Sequence, residues 1–227
     1  MDLTNNTFNR RSFLKTTAAV TTGTLGLSLI PNTILANTPT IVSDSVTNVN
    51  CIGPKDGYTP QVGTLVSMLN WMRMVVLHSV KDMSQKDLDY LHDEKSNTIG
   101  AMLFHLAATE RLYQVQTLEG KEWGAWSEKD KLRFDAASEL GDIGRKTIKG
   151  NNLNFYVDTL TEVRENTLAE FKKRDDKWLM TEDTTWPWTP SPTNNYCKWF
   201  HVCEHESNHN GQIKYIKGRL PGAKKED

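Results

Sequence analysis

Apolar residues recur at intervals of three and four along most of the chain after residue 60, which is the spacing of amphipathic α-helices. The first such stretch follows Thr59 and Pro60, a residue that can cap a helix and one that suits its first position. The pattern predicts four long helices, over residues 60–82, 98–118, 152–175 and 193–219. No stretch alternates apolar and polar residues as a half-buried strand does. We therefore predict an all-α protein built as a four-helix bundle.

Shorter helices are predicted between the long ones. Ser84 begins a sequence that resembles a capping box, and a charged helix is expected over residues 127–136. Within the first long helix, Arg73 and Lys81 are assigned to the polar side, away from the apolar stripe. The connection between the second and third long helices is long, so a simple up-and-down order of the bundle is not required.

The N-terminus carries an export pattern. Arg10 and Arg11 precede Ser-Phe-Leu-Lys, as in twin-arginine signals, and a mild apolar run leads to a cleavage point after Ala36. That run is too short and too weakly apolar for a stable membrane span. The pattern predicts export to the periplasm, with the twin-arginine machinery as a partner. The chain then divides into a signal peptide over 1–36, an irregular lead-in over 37–59, the bundle over 60–222 and a charged tail over 223–227.

Composition narrows the class of function. A formal net charge of -1 is not that of a nucleic-acid binder, which normally has a basic surplus. Three cysteines do not make a disulfide framework. Cys197 and Cys203 lie about 9 Å apart along one predicted helix and off each other's face, so they should not pair. Whether Cys51 pairs with either of them stays open.

Histidines provide the strongest chemical signal. His201, His205 and His209 follow each other at four-residue intervals in the last long helix. Each such step rotates by about 40° and rises about 6 Å, so the imidazoles can share one side. His105 lies within the apolar face of the second long helix. If the two helices are neighbours, three imidazoles can bind one divalent ion such as Zn, Ni or Fe and leave positions open.

Each of these residues also has an ordinary structural interpretation. His105 alone would more often be a buried, hydrogen-bonded histidine, and a histidine pair can lie on a solvated helix face. Geometry also permits a pair formed by His201 and His205. The carboxylates near the histidines could orient imidazoles or act as a base, but surface positions are the favoured interpretation for each of them: Glu110, Glu204 and Glu206.

Two segments resemble the DinB/YfiT-like superfamily of small metal-binding bundles. They are Thr98-Ile-Gly-Ala-Met-Leu-Phe-His-Leu-Ala-Ala-Thr-Glu and His205-Glu-Ser-Asn-His-Asn-Gly-Gln-Ile, and the likeness extends over residues 57–222. The resemblance implies that His105, His205 and His209 bind a divalent metal and that His201 does not. It also implies that the first long helix pairs with the fourth and the second with the third. Homodimers are common among the relatives.

These observations support a metal-dependent enzyme with an unidentified small-molecule substrate. The leading hypothesis is an exported hydrolase in which the metal activates water, with no catalytic residue assigned. The alternatives are a thiol-dependent transferase, a non-catalytic periplasmic metal- or ligand-binding bundle, and a structural bundle without metal. Export disfavours the transferase, because low-molecular-weight thiols are chiefly cytoplasmic.

The long connections, residues 119–150 and 176–193, are expected to shape the substrate pocket. Trp186 and Trp188 lie in the second of them and could form a lid or a pocket wall. Packing against the bundle is the favoured role for both tryptophans.

Overall fold

The computed structural model describes residues 49–186 and 192–223. Nearly all of the regular secondary structure in this part of the chain is helical, with one very small antiparallel strand pair in which Glu182 lies opposite Asn194. The elements in chain order are α1 (Pro60–Val80), α2 (Gln85–Leu88), α3 (Ile99–Thr117), α4 (Glu128–Glu139), α5 (Gly141–Thr147), α6 (Leu153–Phe171), α7 (Asp176–Leu179), β1 (Glu182–Asp183), β2 (Thr193–Asn194) and α8 (Asn195–Lys217). The all-α prediction is confirmed, and the predicted signal peptide lies outside the described residues.

The four long helices α1, α3, α6 and α8 agree with the predicted ones to within about one turn at each end. Three details differ. The chain turns sharply at Leu140, whose φ of 53° is in the left-handed region, and then forms α5, which the glycine-rich sequence concealed. The third long helix ends at Phe171, and Asp175 caps the separate helix α7. The strands β1 and β2 are too short to produce a recognisable alternation.

Caps explain where the long helices begin. Thr98 accepts a hydrogen bond from the backbone of Ala101 at the start of α3, and Asn194 accepts one from Cys197 at the start of α8. Thr59 does not cap α1 with its own side chain. Instead, Asp176 of α7 accepts hydrogen bonds from the first backbone amides of α1. The start of α1 is therefore fixed by a tertiary contact as well as by local sequence.

Helix α1 packs against α8, α3 packs against α6, and α3 also contacts α8. This is the pairing that the family resemblance implies, and it places α3 and α8 side by side. Cys51, Cys197 and Cys203 are all free thiols, so Cys51 forms no disulfide. No helix in the two described ranges is both long and apolar enough to cross a bilayer.

Candidate metal centre

Three histidines converge between α3 and α8. His105 Nε2 lies 2.8 Å from His205 Nε2, and the ring of His209 lies 5.0 Å from that of His105. One ligand nitrogen from each of the three side chains lies within 4.8 Å of the others. The four-residue spacing on α8 places two of the rings on one side, and the neighbouring α3 supplies the third. The structure thus brings together the three residues that the sequence proposed as ligands.

Two of the rings are oriented by hydrogen bonds on the nitrogen that faces away from the cluster. His105 Nδ1 lies 2.8 Å from the carbonyl oxygen of Ala137, which can only accept, so Nδ1 carries the proton. His209 Nδ1 donates in the same way to Gln212 Oε1 at 3.2 Å. In both rings the lone pair is then on Nε2, the atom directed toward the other histidines. Fixing a ring through its distal nitrogen is common among metal-binding histidines.

Burial keeps the cluster uncharged. It lowers the pKa of His105 below its usual value. Burial, together with the neighbouring imidazoles, lowers the pKa of His205 to about 3 and that of His209 to about 4. Neutral imidazole is the form that coordinates a metal, so near neutral pH the three rings can bind one without releasing protons. Because His105 Nε2 accepts the hydrogen bond from His205 Nε2, the lone pair of His205 faces the cluster only after its proton moves to Nδ1.

The donor set fits a divalent transition metal. Imidazole suits Zn, Ni, Cu and Fe(II), and three protein ligands leave room for a further one. Two nitrogens that bind one tetrahedral ion at about 2.0–2.1 Å lie about 3.3 Å apart. His105 and His205 are slightly closer than this, so a small rotation of the rings would be enough.

His201 has different contacts. Its Nδ1 lies 2.7 Å from the hydroxyl of Tyr113, and its Nε2 lies 3.8 Å from the carboxylate of Glu204. Among the described residues, the nitrogens of three histidines converge, and His201 is not one of the three. Glu204 is half exposed, as the surface interpretation predicts.

A second buried polar cluster, made of two arginines and two glutamates, was not predicted from the sequence. Arg73, Glu110, Arg164 and Glu206 lie on α1, α3, α6 and α8, one on each long helix, and each is at most 7% exposed. Arg73 lies 2.8 Å from Glu110 and 2.7 Å from Glu206, and Arg164 lies 2.7 Å from each of the same carboxylates. Burial would raise the pKa of Glu110, but the guanidinium groups of Arg164 and Arg73 lower it to about 2.

This arginine–glutamate cluster corrects two predictions. Arg73 is not on the polar side of α1, and Glu110 and Glu206 are not surface carboxylates. A signal was present, because Arg73 lies four residues after Leu69 and three before Val76, within the apolar stripe itself. Glu110, Arg164 and Glu206 occupy similar positions on their helices.

Aromatic side chains cluster around Tyr113, whose ring centroid lies 5.8 Å from that of His201 at one end of the histidine row. Trp123 packs against Trp186 with ring centroids 5.0 Å apart, and Tyr113 lies 5.3 Å from Trp123. Lys198 lies over the ring of Trp186 at 5.3 Å. Both long connections therefore contribute to the region next to the candidate site, and Trp186 packs against its neighbours, as favoured. Trp188 lies outside the described residues.

Comparison with known families agrees with this architecture. The family model described as mycothiol S-transferase matches residues 64–222, which is most of the chain and nearly all of the bundle. A search of curated proteins found no match. The matched range includes all three converging histidines and the four members of the arginine–glutamate cluster. The chain therefore belongs to the mycothiol S-transferase family, within the DinB/YfiT-like superfamily.

Proposed function

We propose that this protein is a metal-dependent thiol S-transferase, in which His105, His205 and His209 hold one divalent ion. The observation that carries the proposal is the convergence of three neutral imidazoles between α3 and α8. The chain also belongs to a family whose description is mycothiol S-transferase. The family match favours the transferase, which the sequence offered as an alternative, over the hydrolase that it placed first. We give this match more weight than the argument from export, so the proposal requires a small thiol outside the cytoplasm if the protein is exported.

The reaction proposed joins the sulfur of a small thiol to an electrophilic carbon. The sulfur supplies the electron pair of the new bond, the leaving group departs with the pair from the bond that breaks, and the thiol proton passes to solvent. A bound divalent ion would act as a Lewis acid that lowers the pKa of the thiol, so that more of it is thiolate.

The protein contributes orientation and exclusion of water. Ala137 and Gln212 hold the rings of His105 and His209 with their Nε2 atoms toward the centre. Partial burial of the histidines strengthens electrostatic interactions in the site. Trp123 and Trp186, which pack on the buried Tyr113, offer an apolar wall for an electrophilic substrate.

We also propose that the protein is exported to the periplasm by the twin-arginine route, on the basis of Arg10 and Arg11 and the apolar run that follows. Cell fractionation tests this proposal: replacing both arginines by lysine should retain the protein in the cytoplasm. Equal export of this variant and the wild type would contradict it.

Metal analysis combined with a conjugation assay tests the S-transferase proposal. The chain would be purified without a metal-binding tag and loaded with Zn, Ni or Fe(II). Transfer to monochlorobimane would then be followed with mycothiol, cysteine or glutathione as the thiol. His105→Ala should lose both the metal and the activity. His78→Ala, which removes an exposed histidine of α1, should keep both.

Three other outcomes would replace the S-transferase proposal. Ester or amide hydrolysis that needs metal but no thiol would establish the hydrolase. A bound metal with no turnover of any of these substrates would favour the non-catalytic binding protein. A folded chain that takes up no metal would leave a structural bundle.

A further inference from the structure

The carbonyl oxygen that orients His105 belongs to the last turn of α4. Ala137 lies in that turn, just before the chain reverses at Leu140, and its oxygen is 2.8 Å from His105 Nδ1. The last four carbonyl groups of a helix have no partner within the helix itself. Ala137 carries the first of these four in α4, so the orientation of His105 depends on how α4 ends.

Helix α4 ends because the backbone changes direction at two successive residues. The amide of Leu140 still donates to the carbonyl oxygen of Ala136 at 3.1 Å, as in a regular helix. Leu140 and Gly141 then have φ values of 53° and 54°, both in the left-handed region. In a continued helix the amide of Gly141 would donate to the oxygen of Ala137. The reversal directs this amide away from α4.

Asn97, in the loop before α3, accepts the hydrogen bond of the displaced amide. Its Oδ1 lies 3.1 Å from the backbone nitrogen of Gly141. The same loop is tied to α5 by Arg145, which donates to the carbonyl oxygen of Lys95 at 3.1 Å. The amide of Gly141 is therefore engaged away from α4, and the oxygen of Ala137 is left to the imidazole.

The position of the proton on His105 matters for metal binding. A neutral imidazole carries its proton on one ring nitrogen and coordinates through the other. The carbonyl of Ala137 keeps the proton on Nδ1, so the lone pair on Nε2 faces the cluster. If the amide of Gly141 returned to this carbonyl, it would compete with His105 for the oxygen. The ring would then be less firmly held in one tautomer and one orientation.

We infer that Asn97 is a positioning residue of the metal site. By holding the amide of Gly141, it reserves the oxygen of Ala137 for the ring of His105. The inference rests on the proposed function in treating His105 as a metal ligand. Its structural part, the tautomer of His105, can be measured without any metal.

One set of variants separates this role from general stabilisation. Asn97→Ala removes the acceptor for Gly141, and Asn97→Asp retains an oxygen at the same position. Asp89→Ala is the matched control, because Asp89 accepts at 2.9 Å from the amide of Gly150, beyond the other end of α5. Circular dichroism establishes folding. Asn97→Ser, whose hydroxyl is one bond shorter, replaces Asn97→Ala if that variant does not fold.

The first measurement uses the metal-free full chain. Proton–nitrogen correlation NMR with labelled histidine identifies the protonated ring nitrogen, and His105→Gln assigns the signals of His105. The wild type, Asn97→Asp and Asp89→Ala should carry the proton of His105 on Nδ1, whereas Asn97→Ala should show a mixture of both tautomers. The inference is overturned by a wild type without the Nδ1 proton, by an Nδ1 proton fully retained in Asn97→Ala, or by an equal mixture in Asp89→Ala.

The second measurement is zinc affinity, by competition with a fluorescent chelator. Asn97→Ala should bind zinc about tenfold more weakly than the wild type, at the low end of the range for lost contacts to ligating histidines. Asn97→Asp and Asp89→Ala should stay within about twofold of the wild type. Equal weakening in Asn97→Ala and Asp89→Ala would overturn the inference.

The inference and the proposed function can fail separately. Zinc binding and a tautomer change in Asn97→Ala, in a protein without S-transferase activity, would refute the proposed function and support the inference. S-transferase activity with the same His105 tautomer in Asn97→Ala and the wild type would do the reverse. A wild type that takes up no zinc would refute both.

Discussion

The bundle contains two buried polar clusters that use their hydrogen-bonding groups differently. In the arginine–glutamate cluster, two cations face two anions and the guanidinium groups of both arginines are bound by carboxylates. In the histidine cluster, two rings use their Nδ1 atoms for orientation and direct their Nε2 atoms toward a common centre. The first cluster compensates its own charge and connects the four long helices. The second retains lone pairs that a cation can use.

Burial of polar groups therefore does not by itself indicate a binding site. A buried ion pair that compensates its own charge mainly resists disruption, because removing one partner leaves an uncompensated charge. A cluster of neutral imidazoles contains no ion pair of its own, and its nitrogen lone pairs can be used by a cation. A substitution in one cluster should therefore affect that cluster and spare the other.

Removing one histidine of the cluster should have the largest effect. His209→Ala leaves two imidazoles, so we expect metal content to fall from about one ion per chain to nearly none, with the fold retained. Elemental analysis with circular dichroism measures both. Full metal content in folded His209→Ala would contradict the assignment of this residue as a ligand.

Removing one arginine of the other cluster should mainly reduce stability. Arg164→Met leaves Glu110 and Glu206 with one cation between them, and we expect the free energy of unfolding to fall by about 3–5 kcal/mol. Urea denaturation measures the change. Lys173→Met, at an exposed ion pair, is the control and should change it by about 0.5 kcal/mol or less. A similar small change for Arg164→Met would refute a stabilising role for the cluster.

Acid should weaken the same cluster over a defined pH range. The pKa of Glu110 is about 2 in the folded protein against an ordinary 4.5, so between these values the unfolded chain binds the proton and the folded chain does not. The stabilisation is complete above pH 4.5 and is lost as the pH falls toward 2, a contribution of about 3 kcal/mol. Urea denaturation at several pH values should show a steeper loss for the wild type than for Glu110→Gln. Parallel pH dependence of the two proteins would contradict this.

Removing the group that orients His209 should have an intermediate effect, which we expect in the metal affinity and not in the stability. Gln212→Leu deletes the acceptor for His209 Nδ1, and we expect metal affinity to fall about tenfold with little change in stability. Competition with a fluorescent chelator measures the affinity, and Lys214→Leu on the exposed side of α8 is the control. Unchanged affinity in Gln212→Leu would show that the ring is held in another way.

The smallest effect on metal content is expected at His201. His201→Ala removes the partner of the Tyr113 hydroxyl, which should reduce the free energy of unfolding by about 1 kcal/mol, while metal content stays the same. Elemental analysis together with urea denaturation tests both. A variant depleted of metal would instead favour coordination by His201 and His205.

Much of the fold could be predicted from sequence because its signals are local. Intervals of three and four marked the four long helices, and Thr98 and Asn194 cap helices near their predicted starts. The helix α5 was missed because it follows Leu140 in a left-handed conformation, which is uncommon for an apolar residue and is accompanied here by burial of its side chain.

Part of the candidate site could also be predicted, because its signal is local in the sequence. The four-residue spacing of His205 and His209 already required them to share one side of α8. The approach of His105 and its contact with Ala137 depend on which helices are neighbours, and local periodicity does not contain that information. For this reason Glu110 and Glu206 were assigned to the surface although each lies in line with apolar residues.

The positions of the long helices, and the side of α8 that carries His205 and His209, could thus be predicted from local sequence. Helix packing, which local sequence does not reveal, places α3 against α8 and brings three imidazoles together between them. The same packing buries four charged side chains together: Arg73, Glu110, Arg164 and Glu206. The physical reason is that helical periodicity fixes the direction of a side chain relative to its own helix axis. Which charges and lone pairs meet depends on the packing of segments that are far apart in the chain.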